Sequence, residues 1–239
     1  MKIAVYSRDG GAMREERLSR MLERLGKESF DLYGIGGGGD ILPGTDLVMS
    51  VGGDGTFLSA SQCVGKSGIP ILGVNLGRLG FLSEYSPEEA GEALLSGGWY
   101  LEDRELLDTK VSGDVPDNGQ RFWPYTLNEV SVHRSGAALL GIDVTIDGHP
   151  LPTYWADGLL VATSSGSTAY SLSVGGPICA PEAKVLIIAP IAPHNLNARP
   201  LVVPDTTRVT VSMRSRDDGV MLSMDNRNHL IRPSATLDV

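Results

Sequence analysis

Asp46-Leu47-Val48-Met49-Ser50-Val51-Gly52-Gly53-Asp54-Gly55-Thr56-Phe57-Leu58 decides how this 239-residue chain is read. Leu47 to Val51 is an apolar run of the length and β-branched character of a buried strand. Two glycines, an aspartate, a third glycine and a threonine end it, and Phe57 to Gln62 can continue as a helix. A strand that passes through a tight glycine turn into a helix start is a ready anion site. The glycines let backbone approach a phosphate, and the first N–H groups of the helix point at it. A carboxylate in such a turn repels phosphate unless it holds a metal ion or takes a proton from an attacking hydroxyl. The plain alternative is an ordinary βα turn in which Asp54 and Thr56 act as caps. Spacing alone does not choose between them.

Working outward, Lys2 to Ser7 reads as a first strand, with Arg8-Asp9-Gly10-Gly11 as its turn. Ala12 to Gly26 carries Met13, Leu18, Met21, Leu22 and Leu25 near helical spacing. Phe30 to Tyr33 is a possible second strand, and Ile69 to Asn75 is the next buried one. The latter leads into Leu76-Gly77-Arg78-Leu79-Gly80-Phe81-Leu82 at the same sheet end as the Asp54 turn. In open α/β sheets ligands gather outside the carboxyl ends of strands, so both turns are expected at one crevice. Ser86-Pro87-Glu88-Glu89 starts a helix that runs to about Leu95 and stops at Gly97-Gly98. Two motif matches are decoys. Gly34 to Gly39 fits G-x-G-x-x-G but leads to Ile41-Leu42-Pro43-Gly44 and no helix. Gly65-Lys66-Ser67 leaves a helix instead of a strand and lacks the first glycine of a P-loop.

The composition is that of a globular protein, 41% apolar and 21% charged. A net charge of −9 argues against nucleic-acid binding, which rests on neutralising phosphates with Lys and Arg. Cys63 and Cys179 lack metal-ligand spacing and read as free thiols in a reducing compartment. The first apolar stretch is too short for a signal peptide, and no run is long enough for a membrane span. Cytoplasmic localisation is expected. His133, His149, His194 and His229 are scattered and read as structural or surface residues.

From Trp99 the texture changes to short alternating segments: 106–111, 126–133, 141–146, 159–162, 184–188, 208–213 and 220–224. Turn pairs such as Asp147-Gly148 and Asp218-Gly219 separate them. The expected division is therefore an α/β domain over residues 1–98 and a β-rich domain over 99–225, with about 226–239 packing back on the first.

Asn128-Glu129 interrupts an apolar strand, and polar groups there either stay solvated or bind something. Tyr154 to Pro177 runs from a strand into Thr163-Ser164-Ser165-Gly166-Ser167-Thr168-Ala169-Tyr170-Ser171-Leu172-Ser173, then Gly175-Gly176-Pro177. Small residues allow close backbone approach, hydroxyls satisfy ribose and phosphate oxygens, and Tyr170 offers a face for a base. A serine-rich loop without function remains the alternative.

GGDGT resembles the signature shared by NAD kinases, diacylglycerol-type lipid kinases and 6-phosphofructokinases. Asn128-Glu129, the GSTAYSLSxGGP string, Gly77 to Leu82 and Ala198-Arg199-Pro200-Leu201-Val202 narrow the resemblance to NAD kinases, in the same chain order. The resemblance runs to near residue 225. It implies a two-domain α/β plus all-β fold, with a Rossmann-like first domain and a β-sandwich-like second domain that binds NAD. It implies transfer of the ATP γ-phosphate, with polyphosphate as an open alternative donor, to the 2′-hydroxyl of NAD's adenosine ribose, giving NADP. By the same resemblance Asp54 is the general base, and Gly52, Gly53, Gly55 and Thr56 cradle phosphates. Asn128 and Glu129 contact NAD, Asp157 its nicotinamide end, and Thr168, Ala169, Tyr170 and Ser173 the adenosine, with Phe81 as an apolar wall. Magnesium or another divalent metal and a homodimer or homotetramer are implied as well.

Three departures accompany the match. Thr163-Ser164-Ser165 stands where the family usually has T-P-T, Asp225-Asn226 where it commonly has Asp-Gly, and the chain is short for the family. A lipid or sugar kinase that shares GGDGT leaves Asn128-Glu129 and STAYSLS unexplained. A silent NAD-binding protein leaves the Asp54 carboxylate unexplained.

Overall fold

The computed structural model describes residues 1–8, 14–36, 39–113 and 122–239. Asp9 to Gly11 of the first turn, Ala12 and Met13 of the first helix, and Gly37-Gly38 of the glycine run lie outside the described residues. The chain divides into two compact units, Met1–Glu102 and Asp103–Val239.

The first unit contains β1 (Lys2–Tyr6), α1 (Glu16–Lys27), β2 (Asp31–Ile35), β3 (Leu47–Val51), α2 (Asp54–Val64), β4 (Ile71–Val74) and α3 (Pro87–Ser96). Its strands form one parallel sheet in the order β2-β1-β3-β4. Alternation along β1 and β3 sends Ile3, Val5, Met49 and Val51 towards Leu18, Met21 and Leu25 of α1 and Ala90 and Leu94 of α3. Ala4, Tyr6 and Val48 face the other way, against Ala60 and Cys63 of α2. Each large side chain so buried contributes about 1.5–3 kcal/mol. Ser86 and Glu89 form a reciprocal capping box at the start of α3, as the sequence predicts, and Gly97 closes it in the left-handed region at φ 67°.

The second unit contains β5 (Leu107–Asp108), β6 (Lys110–Ser112), β7 (Tyr125–Thr126), β8 (Glu129–Arg134), β9 (Leu140–Ile146), β10 (His149–Pro150), β11 (Tyr154–Ala156) and β12 (Gly158–Thr163). A 3-10 turn (Ser165–Thr168), α4 (Tyr170–Ser173), β13 (Val185–Ile191), β14 (Leu201–Pro204), β15 (Val209–Arg214), β16 (Val220–Met224), β17 (Arg227–Ile231) and β18 (Thr236–Asp238) follow. One sheet runs β14-β13-β12-β8-β16-β17 and the other β10-β9-β15-β18-β6, with β11 added on β9. Val130, Val132, Leu159, Val161, Ile188 and Leu222 of the first share one core with Ile142, Val144, Val211, Met213 and Leu237 of the second. This is a β-sandwich. On the opposite face of the first sheet, Leu160, Ala162, Ile187 and Ala189 are covered by Tyr170, Val174 and Cys179. The serine-rich loop is therefore held down by an apolar patch.

One expectation is corrected. Residues 226–239, expected against the α/β unit, pair instead within the sandwich, β17 with β16 and β18 with β15 and β6. Ile231, Ala235 and Leu237 are completely buried there, which supplies the driving force. Asp218-Gly219 separates β15 from β16, as the sequence suggests, and carries the chain from one sheet to the other. Asp147-Gly148, with φ of 48° and 83°, does make the tight hairpin between β9 and β10.

Candidate active site

In the first unit, β3 delivers the chain to Gly52, whose φ of 145° is hostile to other residues. A Cβ there would also stand 2.5 Å from Thr56 Oγ1. Gly53 is the N-cap of α2 and Asp54 its first residue. Because Gly53 offers no side chain, the helix start stays open to an anion.

Asp54 is not a bare carboxylate. Oδ2 accepts from Phe81 N, and Oδ1 from Leu82 N and Ser83 N, each at 3.0 Å. The turn after β4 is thus wrapped onto the carboxylate, and a Cβ on Gly80 would collide with it. Asn75 shapes the same turn: its Oδ1 accepts from Gly77 N at 2.7 Å and its Nδ2 donates to Ser83 O at 3.3 Å. Phe81 projects outward, 63% exposed. Arg8, at the end of β1, donates through Nη2 to Gly55 O at 3.1 Å and Ser59 Oγ at 2.8 Å, which places a cation on the glycine turn. Neither Asn75 nor Arg8 is picked out by sequence reasoning. Arg8 reaches the turn because β1 lies beside β3 in a parallel sheet, which the sequence near Arg8 does not announce.

In the second unit, Asn128 is buried and Glu129 partly so at the start of β8. Asn128 O accepts from Thr163 N at 2.9 Å, and Thr163 Oγ1 donates to Leu127 O at 2.6 Å. Thr163 Oγ1 in turn receives Gly166 N at 3.0 Å. A Cβ on Gly166 would strike the Asn128 carbonyl, so the start of the serine loop lies directly on that strand. Ser167 Oγ receives Cys179 N at 3.0 Å and closes the loop from its far side.

Glu129 Oε2 is buried without a hydrogen-bond partner. Burial, the nearby Asp225 carboxylate and little compensation push the Glu129 carboxyl up to about 7. The Tyr170 hydroxyl is also raised, by burial first and then by Glu129 and Asp157. One face of Tyr170 is stacked on His133, with ring centroids 5.7 Å apart and planes 17° from parallel. His133 itself is lowered by burial. Its stacking supports the Tyr170 ring, in keeping with a structural role, and leaves Tyr170 one face to offer. Asp157 pairs with Arg134 at 2.7 Å. Thr168 and Ala169 are half-buried beside Tyr170, whereas Ser173 is exposed at the end of α4.

The departure at Ser164 has a simple geometry. Its φ of −58° is one proline also adopts, and its Oγ donates to Pro181 O at 2.7 Å. A hydrogen bond replaces a ring.

Comparison with known proteins agrees with both halves. Residues 41–96 match the ATP-NAD kinase N-terminal domain and residues 127–237 the ATP-NAD kinase C-terminal domain. An NAD kinase of Bacteroides fragilis is 42% identical over 198 residues, covering 81% of this chain and 67% of that protein.

The chain belongs to the NAD kinase family.

That membership makes its class a kinase and disfavours the lipid- and sugar-kinase readings. An NAD kinase of Flavobacterium psychrophilum is 43% identical, covering 76% of this chain and 63% of that one. The chain thus matches about two thirds of the length of these relatives. Among solved structures, an Archaeoglobus fulgidus NAD kinase in complex with ATP superposes with a TM-score of 0.79 at 27% identity, covering all of this chain and 89% of the other. Yeast NADH kinase complexed with NADH gives a TM-score of 0.83 at 24% identity, covering all of this chain and 77% of the other, and shares the fold. No helix among the described residues is long and apolar enough to cross a membrane.

Proposed function

We propose that this chain transfers the γ-phosphate of ATP to the 2′-hydroxyl of the adenosine ribose of NAD, giving NADP and ADP. One observation carries the reading: a carboxylate, Asp54, stands in the first turn of a helix opened by Gly52-Gly53. Of about four lone-pair positions on a carboxylate, three are filled by Phe81, Leu82 and Ser83. Oδ2 keeps the position that accepts the hydroxyl proton as the oxygen attacks. The bond to the γ-phosphorus forms as the bond to the β-γ bridging oxygen breaks, with ADP leaving. Gly52, Gly53, Gly55 and Thr56 hold phosphate oxygens, and Arg8 adds a positive charge to the turn. Little covalent help is needed, so positioning and charge neutralisation dominate.

Asn128 and Glu129 hold ribose hydroxyls of NAD, Asp157 its nicotinamide end, and Thr168, Ala169, Tyr170 and Ser173 the adenosine, with Phe81 as an apolar wall. The ionised form of Glu129 is the better acceptor for those hydroxyls. Among the described residues no group of three or more His, Cys, Asp or Glu gathers as a metal cage. Magnesium or another divalent metal would come in on the ATP triphosphate. When bound, the ion neutralises charge developing on the phosphates.

The thiols Cys63 and Cys179, which form no disulfide, suit the reducing cytoplasm. Exposed Leu79, Phe81, Ile178 and Leu196 suit assembly as a homodimer or homotetramer.

The test is NADP formation from NAD and Mg-ATP by purified protein, with Asp54→Asn alongside. Turnover should fall by about 10²–10⁴ in the variant. Near-full activity in Asp54→Asn would remove its role as base. Binding of NAD without turnover, from ATP or polyphosphate, would turn the reading to a silent binder.

A further inference from the structure

The turn between β16 and β17 is built unlike an ordinary hairpin. Asp225 sits at φ 52°, and its carboxylate turns back across the sheet instead of out to solvent. Oδ2 accepts from Leu127 N at 2.9 Å and Oδ1 from Asn128 N at 2.8 Å. Its own N–H donates to Glu129 O at 3.0 Å. Two residues on, Arg227 donates to the carbonyls of the same segment, through Nη1 to Trp123 O and Nη2 to Tyr125 O, both at 2.6 Å. Arg227 Nε also donates to Met224 O at 3.2 Å. An anion takes the N–H groups of residues 127–128 and a cation takes the C=O groups of 123 and 125. The bonds made by these two side chains are charge-assisted and therefore stronger than neutral ones.

β8 begins only at Glu129, so the segment that carries Asn128 has no long ladder of its own to hold it. The clamp supplies what the ladder does not. Through Asn128 O it reaches Thr163, and through Thr163 Oγ1 it reaches Gly166 at the start of the serine loop.

We infer that Asp225 and Arg227 are positioning residues for the nucleotide substrate: together they fix the backbone of Leu127-Asn128-Glu129 and so aim the Asn128 and Glu129 side chains. Neither touches substrate. The inference rests on the proposed contact of Asn128 and Glu129 with NAD. The charged and titratable groups facing Glu129 are Asp225 from the hairpin and Tyr170 from α4, with Arg227 behind Asp225 and His133 behind Tyr170. Asp225 acts on Glu129 in a second way, since its negative charge disfavours ionisation of the neighbour.

Asp225→Asn isolates the carboxylate from the turn, because asparagine also tolerates the left-handed region. KM for NAD should rise about tenfold or more, with kcat within about threefold and KM for ATP unchanged. Amide exchange at Leu127 and Asn128 should quicken by a similar factor. The acid limb of kcat/KM for NAD should move to lower pH, since Glu129 then ionises more easily. A purely structural turn would move none of these. Arg227→Lys, which cannot hold both carbonyls in one plane, should raise KM for NAD less, and it carries the test if Asp225→Asn does not fold. Glu129→Gln separates the two readings. A raised KM in Glu129→Gln with wild-type KM and exchange in Asp225→Asn overturns the clamp alone. An unchanged KM for NAD in Glu129→Gln overturns the contact on which the inference rests, while amide exchange still decides whether the clamp holds the segment.

Discussion

Asp54 and Gly80 fit together so closely that residue 80 has no room for a methyl group facing the carboxylate. The three N–H groups that hold Asp54 follow directly, at residues 81, 82 and 83. Gly80→Ala must push the turn or the carboxylate aside. Overpacking of this kind costs about 1–3 kcal/mol, and turnover should fall about tenfold or more because the acceptor oxygen moves. Steady-state kcat with a thermal melt checks this, and a variant with normal kcat refutes the fit.

Gly166→Ala should act on the other substrate. Its Cβ would meet the Asn128 carbonyl, a backbone group that cannot rotate away. A stability loss of about 1–3 kcal/mol should come with a raised KM for NAD and little change in KM for ATP. Denaturant unfolding and initial rates measure both.

Ser164→Pro should be close to neutral. The ring matches the φ of −58° already present, and the preceding Thr163 is extended in β12, as proline requires. A gain of about 0.4–1 kcal/mol from the unfolded chain offsets loss of the bond to Pro181 O, itself worth about 1 kcal/mol. A melting point far below wild type would show that the Ser164 N–H or Oγ matters more than this geometry indicates.

Glu129 links stability to pH. Its folded carboxyl is raised to about 7, above the unfolded value of about 4.3. The folded state therefore holds the proton more tightly, and stability is lost as pH rises from near the unfolded value through the folded one. Glu129→Gln mimics the protonated form and should melt higher than wild type at pH 8 but level with it near pH 4. Its NAD affinity should fall. Melting curves of the pair across that range give the answer, and a constant difference with pH would count against a raised Glu129.

Much of the fold was legible because its signals are local. Leu47–Val51 before Gly52-Gly53, the Ser86-Pro87-x-Glu89 cap and the alternation in residues 126–133 need only their neighbours to be read. What escaped was non-local. Nothing near Asn75 or Arg8 announces their contacts with Ser83 and Gly55, which depend on parallel pairing of β1, β3 and β4. The stack of His133 on Tyr170 joins two different elements and is likewise beyond local reading. The pairing of 226–239 within the sandwich is not legible either, because β17 and β18 are short strands whose sheets cannot be chosen from sequence.

The Asp225–Asn128 bond also sets an order of events at birth. The two residues are 97 positions apart. At translation rates of about 5–20 residues per second, the segment bearing Asn128 leaves the ribosome roughly 5–20 s before its clamp exists. During that interval Asn128 and Glu129 lack their clamp, and a nascent chain should gain the proposed nucleotide contact there only after the β16–β17 hairpin emerges.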